Sequence, residues 1–137
     1  MKIVLDTNVL ISGIFFSGPP FEILKAWRNG KVKFVLSPEI LYEYYRVANL
    51  LKEQFPNTDV EPILNMIAIN SELTQAPALS EQVCEDKNDD KFLACALAGN
   101  TDMIVSGDKH LLKLSGYRGI MIIKPAKFVD EYLRETL

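Results

Sequence analysis

Cysteine, histidine and tryptophan are scarce in this 137-residue chain: two, one and one. So little sulfur and imidazole excludes a disulfide framework and argues against a zinc site, which draws its ligands mainly from Cys and His. Cys84 lies in a polar stretch, and Cys95 sits within Phe92-Leu93-Ala94-Cys95-Ala96-Leu97, where it reads as a small core residue; the two share no recognisable pairing spacing, and a reducing compartment is expected. No apolar stretch approaches the roughly 18 residues that would span a bilayer. The first apolar run breaks at Asp6, unlike a signal peptide, so the expectation is a cytoplasmic protein with no membrane contact. Basic charge is not in excess either. A net charge of -3 and a pI near 5.2 supply no global field toward nucleic acid or anionic lipid. Any nucleic-acid substrate must therefore be held by local basic groups, by metal or by a partner subunit.

What is present is apolar patterning. The chain is 48% hydrophobic and 24% charged, which suits one domain over residues 1–137 that buries roughly two thirds of its unfolded surface. Lys2 to Leu5, Lys33 to Leu36, Met103 to Ser106 and Ile120 to Ile123 are short aliphatic runs with little alternation, as expected of strands covered on both faces. Between them lie helical stretches. Pro19-Pro20 opens one that Asn29-Gly30 closes, and Ser37-Pro38 opens another that runs to about Glu53. Val60 to Ile69, Asn88 to Ala98 and Pro125 to Leu133 follow the same logic, with Asn88 and Asp89 as capping side chains and Gly99-Asn100 as a stop. Thr74 to Lys87 reads as a loop. Strands alternating with helices predict an α/β fold with a mainly parallel sheet and right-handed crossovers.

In such a sheet, ligands bind outside the carboxyl ends of the strands. Asp6 follows the first strand run and Asp108 the Met103 run, so both acids map to that edge. Taken alone, each serves equally well as the N-cap of a following helix. Glu43 carries more information: it shares an apolar helical face with Ile40, Val47 and Leu50, while Glu39, Arg46, Asn49 and Glu53 already form a polar side. Asp90 stands in a first helical turn, where the macrodipole favours an anion, but shares a face with Leu93, Ala94 and Leu97 that points it to the sheet edge. Asp86 and Asp89 read as solvated or supporting groups, and Asp102 falls at the opposite edge. Four carboxylates gathered at one place repel one another and have raised pKa values unless a cation holds them ionised. The set Asp6, Glu43, Asp90 and Asp108 therefore predicts a Mg²⁺ or Mn²⁺ site of one or two ions.

Asp6-Thr7-Asn8-Val9-Leu10, Glu43 in a helix, Asp89-Asp90-Lys91-Phe92-Leu93-Ala94-Cys95-Ala96 and Ile104-Val105-Ser106-Gly107-Asp108 together resemble the PIN-domain nucleases. The resemblance covers nearly the whole chain and is strongest to the toxin components of toxin–antitoxin systems, relatives of VapC. It implies a three-layer α/β/α sandwich and metal-dependent hydrolysis of RNA phosphodiester bonds by cation-activated water. It also implies that Asp6, Glu43, Asp90 and Asp108 are the catalytic metal-binding acids, with Asn8 and Ser106 supporting them. Arg46, Lys91 and Lys109 are candidates for phosphate contact, each readable also as a solvated charge. His110 stands where many relatives carry an acid and reads as a surface imidazole rather than a catalytic group. Tyr42, Tyr44 and Tyr45 offer either a base-stacking platform or packing, and Tyr44 and Tyr45 fit packing better.

The resemblance further implies a homodimer, an RNA substrate and an antitoxin partner that places a basic side chain among the acids. Rival readings use the same edge differently. A receiver-type signalling domain also gathers acids around Mg²⁺ but keeps paired acids near its first strand, where Leu5 is followed by a single Asp6; Lys124-Pro125 is its superficial lysine. A haloacid-dehalogenase phosphatase needs Asp-x-Asp, and Asn8 stands at the third position. A non-catalytic relative that binds RNA or protein is the remaining alternative.

Overall fold

A computed structural model describes residues 1–134. Among these residues five strands form one parallel sheet: β1 (Lys2–Leu5), β2 (Lys33–Leu36), β3 (Glu72–Leu73), β4 (Met103–Val105) and β5 (Met121–Ile123), in the order β3-β2-β1-β4-β5. Seven helices accompany them: α1 (Thr7–Phe15), α2 (Pro19–Arg28), α3 (Pro38–Leu51), α4 (Val60–Asn70), α5 (Asp90–Ala98), α6 (Lys109–Leu112) and α7 (Pro125–Phe128), the last continuing as a π-helical turn over Val129–Leu133. Consecutive residues Ile3, Val4 and Leu5 are fully buried, as are Phe34, Val35 and Leu36, so both faces of the sheet are covered and the fold is an α/β/α sandwich. Burial of each such side chain contributes about 1.5–3 kcal/mol, which is why these short runs specify the sheet. None of the described helices is by itself long and apolar enough to cross a membrane.

The sheet order reverses between β1 and β4, and the crevice this opens at the carboxyl edge is where open α/β sheets bind ligands. Register there is fixed: Val4 pairs with Ile104 and Leu5 with Val105, and the Asp6 N–H donates to the Val105 carbonyl at 3.0 Å. Asp6 and Ser106 are thereby delivered side by side.

The expected elements are found, with local differences. β3 comes from a segment with no apolar run; it is a two-residue edge strand whose Glu72 pairs with Val35 and Leu73 with Leu36. The packed stripe of α3 runs through Ile40, Tyr44 and Ala48, all fully buried, and Leu50 is 67% exposed. At about 100° per residue Leu50 falls outside a stripe centred on those positions, and Glu43 lies at its border. Cys84, surrounded in sequence by polar residues, is buried. α5 is buried almost all round, as befits a helix packed on β1, β2, β4 and α3, and its N-terminus opens at the carboxyl edge. The stop after α5 is made by Asn100, at φ 50°, while Gly99 has ordinary φ; a Cβ on Gly99 would sit 2.6 Å from Val35 Cγ1, so glycine is required there for close packing.

Candidate functional site

Asp6 occupies the N-cap position of α1, yet its side chain makes no capping hydrogen bond. Its carboxylate instead accepts from Ser106 Oγ at 2.6 Å, across a separation of 100 residues, in a buried setting. The same Ser106 hydroxyl accepts from the Asp108 N–H at 3.0 Å, so one fully buried serine ties the end of β1 to the turn after β4. Burial raises the pKa of Asp6 above its ordinary value; the Ser106 hydroxyl opposes this, and the charges of Asp108 and Glu43 add to it. Asn8 contributes through its backbone N–H, which favours the Asp6 anion, while its side chain is exposed.

Glu43 reaches the site from α3, which Ser37 opens by accepting from the Ile40 N–H at 3.3 Å, with Pro38 in the first turn. Tyr44, beside it, is fully buried and donates its hydroxyl to the Leu5 carbonyl at 2.5 Å, which seats α3 against the end of β1. The Glu43 carboxylate is enclosed by donors. Lys91 Nζ lies 2.6 Å and Asn88 Nδ2 3.2 Å from Oε1, the Thr7 hydroxyl donates a short hydrogen bond to Oε2, and Arg46 Nη2 is 3.8 Å from Oε1. Burial works against its charge, but the hydrogen bonds from Lys91 and Thr7 and the Lys91 charge outweigh it and lower the pKa.

The segment before α5 begins as a 3₁₀ turn, Lys87–Asp89, capped by Asp86, whose side chain accepts from the Asn88 N–H at 2.9 Å. Asp89, expected to cap, makes no capping hydrogen bond. Asp90 and Asp89 then face different surroundings. Asp90, 9% exposed, accepts from the backbone N–H groups of Cys84 at 2.7 Å and Val83 at 3.1 Å. Its burial is opposed by those bonds from Cys84 and Val83, which lower its pKa. Asp89 lies within the field of Asp86, Asp6 and Asp108; burial first and those charges next push its pKa up to about 6. Asp108 does cap α6, accepting from the His110 N–H at 2.9 Å. His110 Nδ1 is 2.8 Å from Glu85 Oε2 at the surface.

The structure therefore brings Asp6, Asp108 and Asp89 into one electrostatic neighbourhood, with Glu43 coupled to Asp6. The sequence marks Asp89 as a capping, solvated or supporting group; adjacent residues in a helical start cannot be told apart by periodicity when the preceding turn is 3₁₀. The donor chemistry fits a hard divalent cation, since the anionic groups here are carboxylates, and the one thiol beside them, Cys84 against Asp90, is kept protonated as burial pushes its pKa up. Geometry is another matter: among the described residues no three His, Cys, Asp or Glu side chains are gathered tightly enough to hold one ion as they stand. Each expected ligand is instead turned to an internal partner: Asp6 to Ser106, Glu43 to Lys91, Asp90 to the 83–84 backbone, and Asp108 to the start of α6.

Two concavities flank this edge. One of about 470 Å³ is lined by Tyr42, Glu43, Arg46, Asn88 and Lys91, and one of about 600 Å³ by residues including Ala76, Leu79, Gln82, Asp86, Asp90 and Lys91. Tyr42 is 70% exposed at the rim of the first, while Tyr45 hydrogen-bonds Asn65 and packs against the core.

Comparison with known proteins bears on the fold and the family. No curated protein matches the sequence. The crystal structure of VapBC2 from Rickettsia felis bound to a DNA fragment from their promoter contains a chain that superposes with a TM-score of 0.63 at 15% identity, over 90% of this chain and 98% of that one. At that identity the likeness is one of fold. Residues 2–110, which carry β1 through the start of α6 and all the acids discussed, match the PIN domain, and the chain belongs to that family.

Proposed function

We propose that the chain is a metal-dependent endoribonuclease that hydrolyses RNA phosphodiester bonds, and that it is the toxin of a toxin–antitoxin pair. The observation that carries the reading is the Ser106 to Asp6 hydrogen bond, which holds a buried carboxylate at the strand-order reversal of a PIN-family sheet. When bound, one or two Mg²⁺ or Mn²⁺ ions would supply an activated water for in-line attack at phosphorus and offset charge on the departing 3′ oxygen.

In this reading Asp6, Glu43 and Asp108 are metal ligands. Ser106 aims Asp6 and, through the Asp108 N–H, sets the turn that presents Asp108. Asp90 joins these ligands on releasing the Val83 and Cys84 N–H groups, and Asp89 contributes charge toward Asp6 and Asp108. Asn8 steadies the Asp6 anion through its N–H. Arg46, Lys91 and Lys109 meet RNA phosphates at the rim, and the exposed Tyr42 offers a ring for base stacking. The chain acts in the cytoplasm as a homodimer, since the net charge of -3 gives one subunit a poor groove for a polyanion. An antitoxin would occupy the groove through a basic side chain.

The test is a thermal melt in Mn²⁺ against EDTA, followed by incubation with mixed RNAs. Wild type should melt higher in Mn²⁺, and Asp6→Asn should not respond. RNA cleavage should need metal and be lost in Asp6→Asn and Asp108→Asn. A wild-type melt indifferent to Mn²⁺, or cleavage that survives in Asp6→Asn, would refute the reading, and a monomer by light scattering at micromolar concentration would refute the dimer.

A further inference from the structure

Among the charged groups of the site, Lys91 is the one whose position conflicts with the chemistry assigned to its neighbour. Its side chain is only 13% exposed, and Nζ rests 2.6 Å from Glu43 Oε1 and 2.9 Å from the Asn88 carbonyl, with the Phe92 ring centroid 5.3 Å away. Oε1 of Glu43 also accepts from Asn88 Nδ2 at 3.2 Å, and Oε2 accepts from Thr7, so Oε1 has both lone pairs engaged by donors, one of them an ammonium. A divalent cation binds a carboxylate oxygen at about 2.0–2.1 Å, and an ammonium cannot remain on that oxygen beside it without strong like-charge repulsion in a partly desolvated setting.

We infer that Lys91 is a resident counter-ion for Glu43, occupying the carboxylate in the metal-free chain and yielding it when a divalent cation binds. The inference rests on Glu43 being a metal ligand, as proposed above. Lys91 is thus a positioning residue: it keeps a part-buried carboxylate ionised and in place before metal arrives. Once displaced, its ammonium swings from the Glu43 oxygen toward the concavities it lines, where an RNA phosphate would meet it. Lys91 is in this way the internal partner that Glu43 must leave, as Asp6, Asp90 and Asp108 have theirs.

Two measurements on the full chain test this without reading activity. Mn²⁺ binding is followed by electron paramagnetic resonance for wild type and Lys91→Met; loss of the competing cation should tighten binding on the order of tenfold, a coupling of about 1.4 kcal/mol. Separately, wild type is labelled with an amine-acylating reagent in EDTA and in saturating Mn²⁺, and Lys91 acylation is read by mass spectrometry; labelling should rise at least severalfold with Mn²⁺. Equal or weaker Mn²⁺ binding by Lys91→Met, or Lys91 labelling that is unchanged or reduced by Mn²⁺, overturns the inference while leaving the metal site standing. Failure of wild type itself to bind Mn²⁺ overturns both. Should Lys91→Met not fold, the labelling of wild type decides alone.

Discussion

Replacing Ser106 by alanine tests how the carboxyl edge is built. The Ser106 hydroxyl is fully buried and makes two hydrogen bonds, donating to the Asp6 carboxylate at 2.6 Å and accepting from the Asp108 N–H at 3.0 Å. A hydrogen bond to a charged partner is worth about 1.5–3 kcal/mol and a neutral one about 0.5–1.5 kcal/mol, so their joint loss should cost about 2–4 kcal/mol. With an unfolding entropy of about 2.1 cal/mol/K per residue, that is a fall of about 7–14 °C in Tm for a chain of this length. The loss should also depend on pH. The folded-state pKa of Asp6 is already raised by burial, and removing its hydroxyl donor raises it further. For an acid whose folded pKa exceeds its unfolded one, stability falls as pH rises from the unfolded value through the folded one, and in the variant the fall extends to higher pH and is larger in total. Thermal melts of wild type and Ser106→Ala in EDTA should therefore diverge more at pH 8, where Asp6 is ionised, than at the lowest pH at which both fold, where a protonated Asp6 has less need of the donor. An equal deficit at both pH values, or a loss under about 1 kcal/mol, would refute the idea that Ser106 exists to hold a buried carboxylate.

Four further outcomes follow from the same structure. Tyr44→Phe removes a buried donor to the Leu5 carbonyl and should lower the urea-derived stability by about 1–3 kcal/mol; an unchanged midpoint would show that the carbonyl finds another partner. Gly99→Ala drives a Cβ to 2.6 Å from Val35 Cγ1, and the overpacking should destabilise by about 1–3 kcal/mol in the same assay, whereas a neutral result would mean that β2 can yield. Asp89 should titrate near 6 by carbon-detected NMR in metal-free protein; because that value lies above its ordinary 3.8, it makes stability decline as pH rises from about 4 to 6, and Asp89→Asn should flatten that part of the profile. Cys84 and Cys95 are buried thiols with pKa values pushed up by burial, Cys95 to about 12, so Ellman's reagent should find neither in the native protein and both after denaturation.

Much of the sheet is legible in the chain because a parallel strand covered on both faces needs consecutive apolar residues. Lys2–Leu5, Lys33–Leu36 and the cores of β4 and β5 supply them. β3 is not legible: Glu72-Leu73 lies at an edge with Leu73 exposed, and it is held by backbone pairing with Val35 and Leu36 rather than by an apolar run. Cys84 misleads for a related reason, since its polar sequence neighbours say nothing of the burial that the N–H bonds of the 83–84 backbone to Asp90 bring about.

By sequence alone, strand and helix periods determined an alternating α/β chain and placed Asp6 and Asp108 at corresponding strand ends, because period and punctuation are local properties. Only the tertiary structure decided what each carboxylate touches. Whether Asp6 caps α1 or meets Ser106 depends on β1 and β4 being neighbours, and that Glu43 is held by Lys91 and Thr7 depends on α3, α5 and α1 converging. Which of Asp89 and Asp90 faces the other acids depends on a loop that reaches Asp90 with two N–H groups. A charge in a folded chain is governed by the donors within a few ångströms, and those donors come from segments that linear order keeps apart.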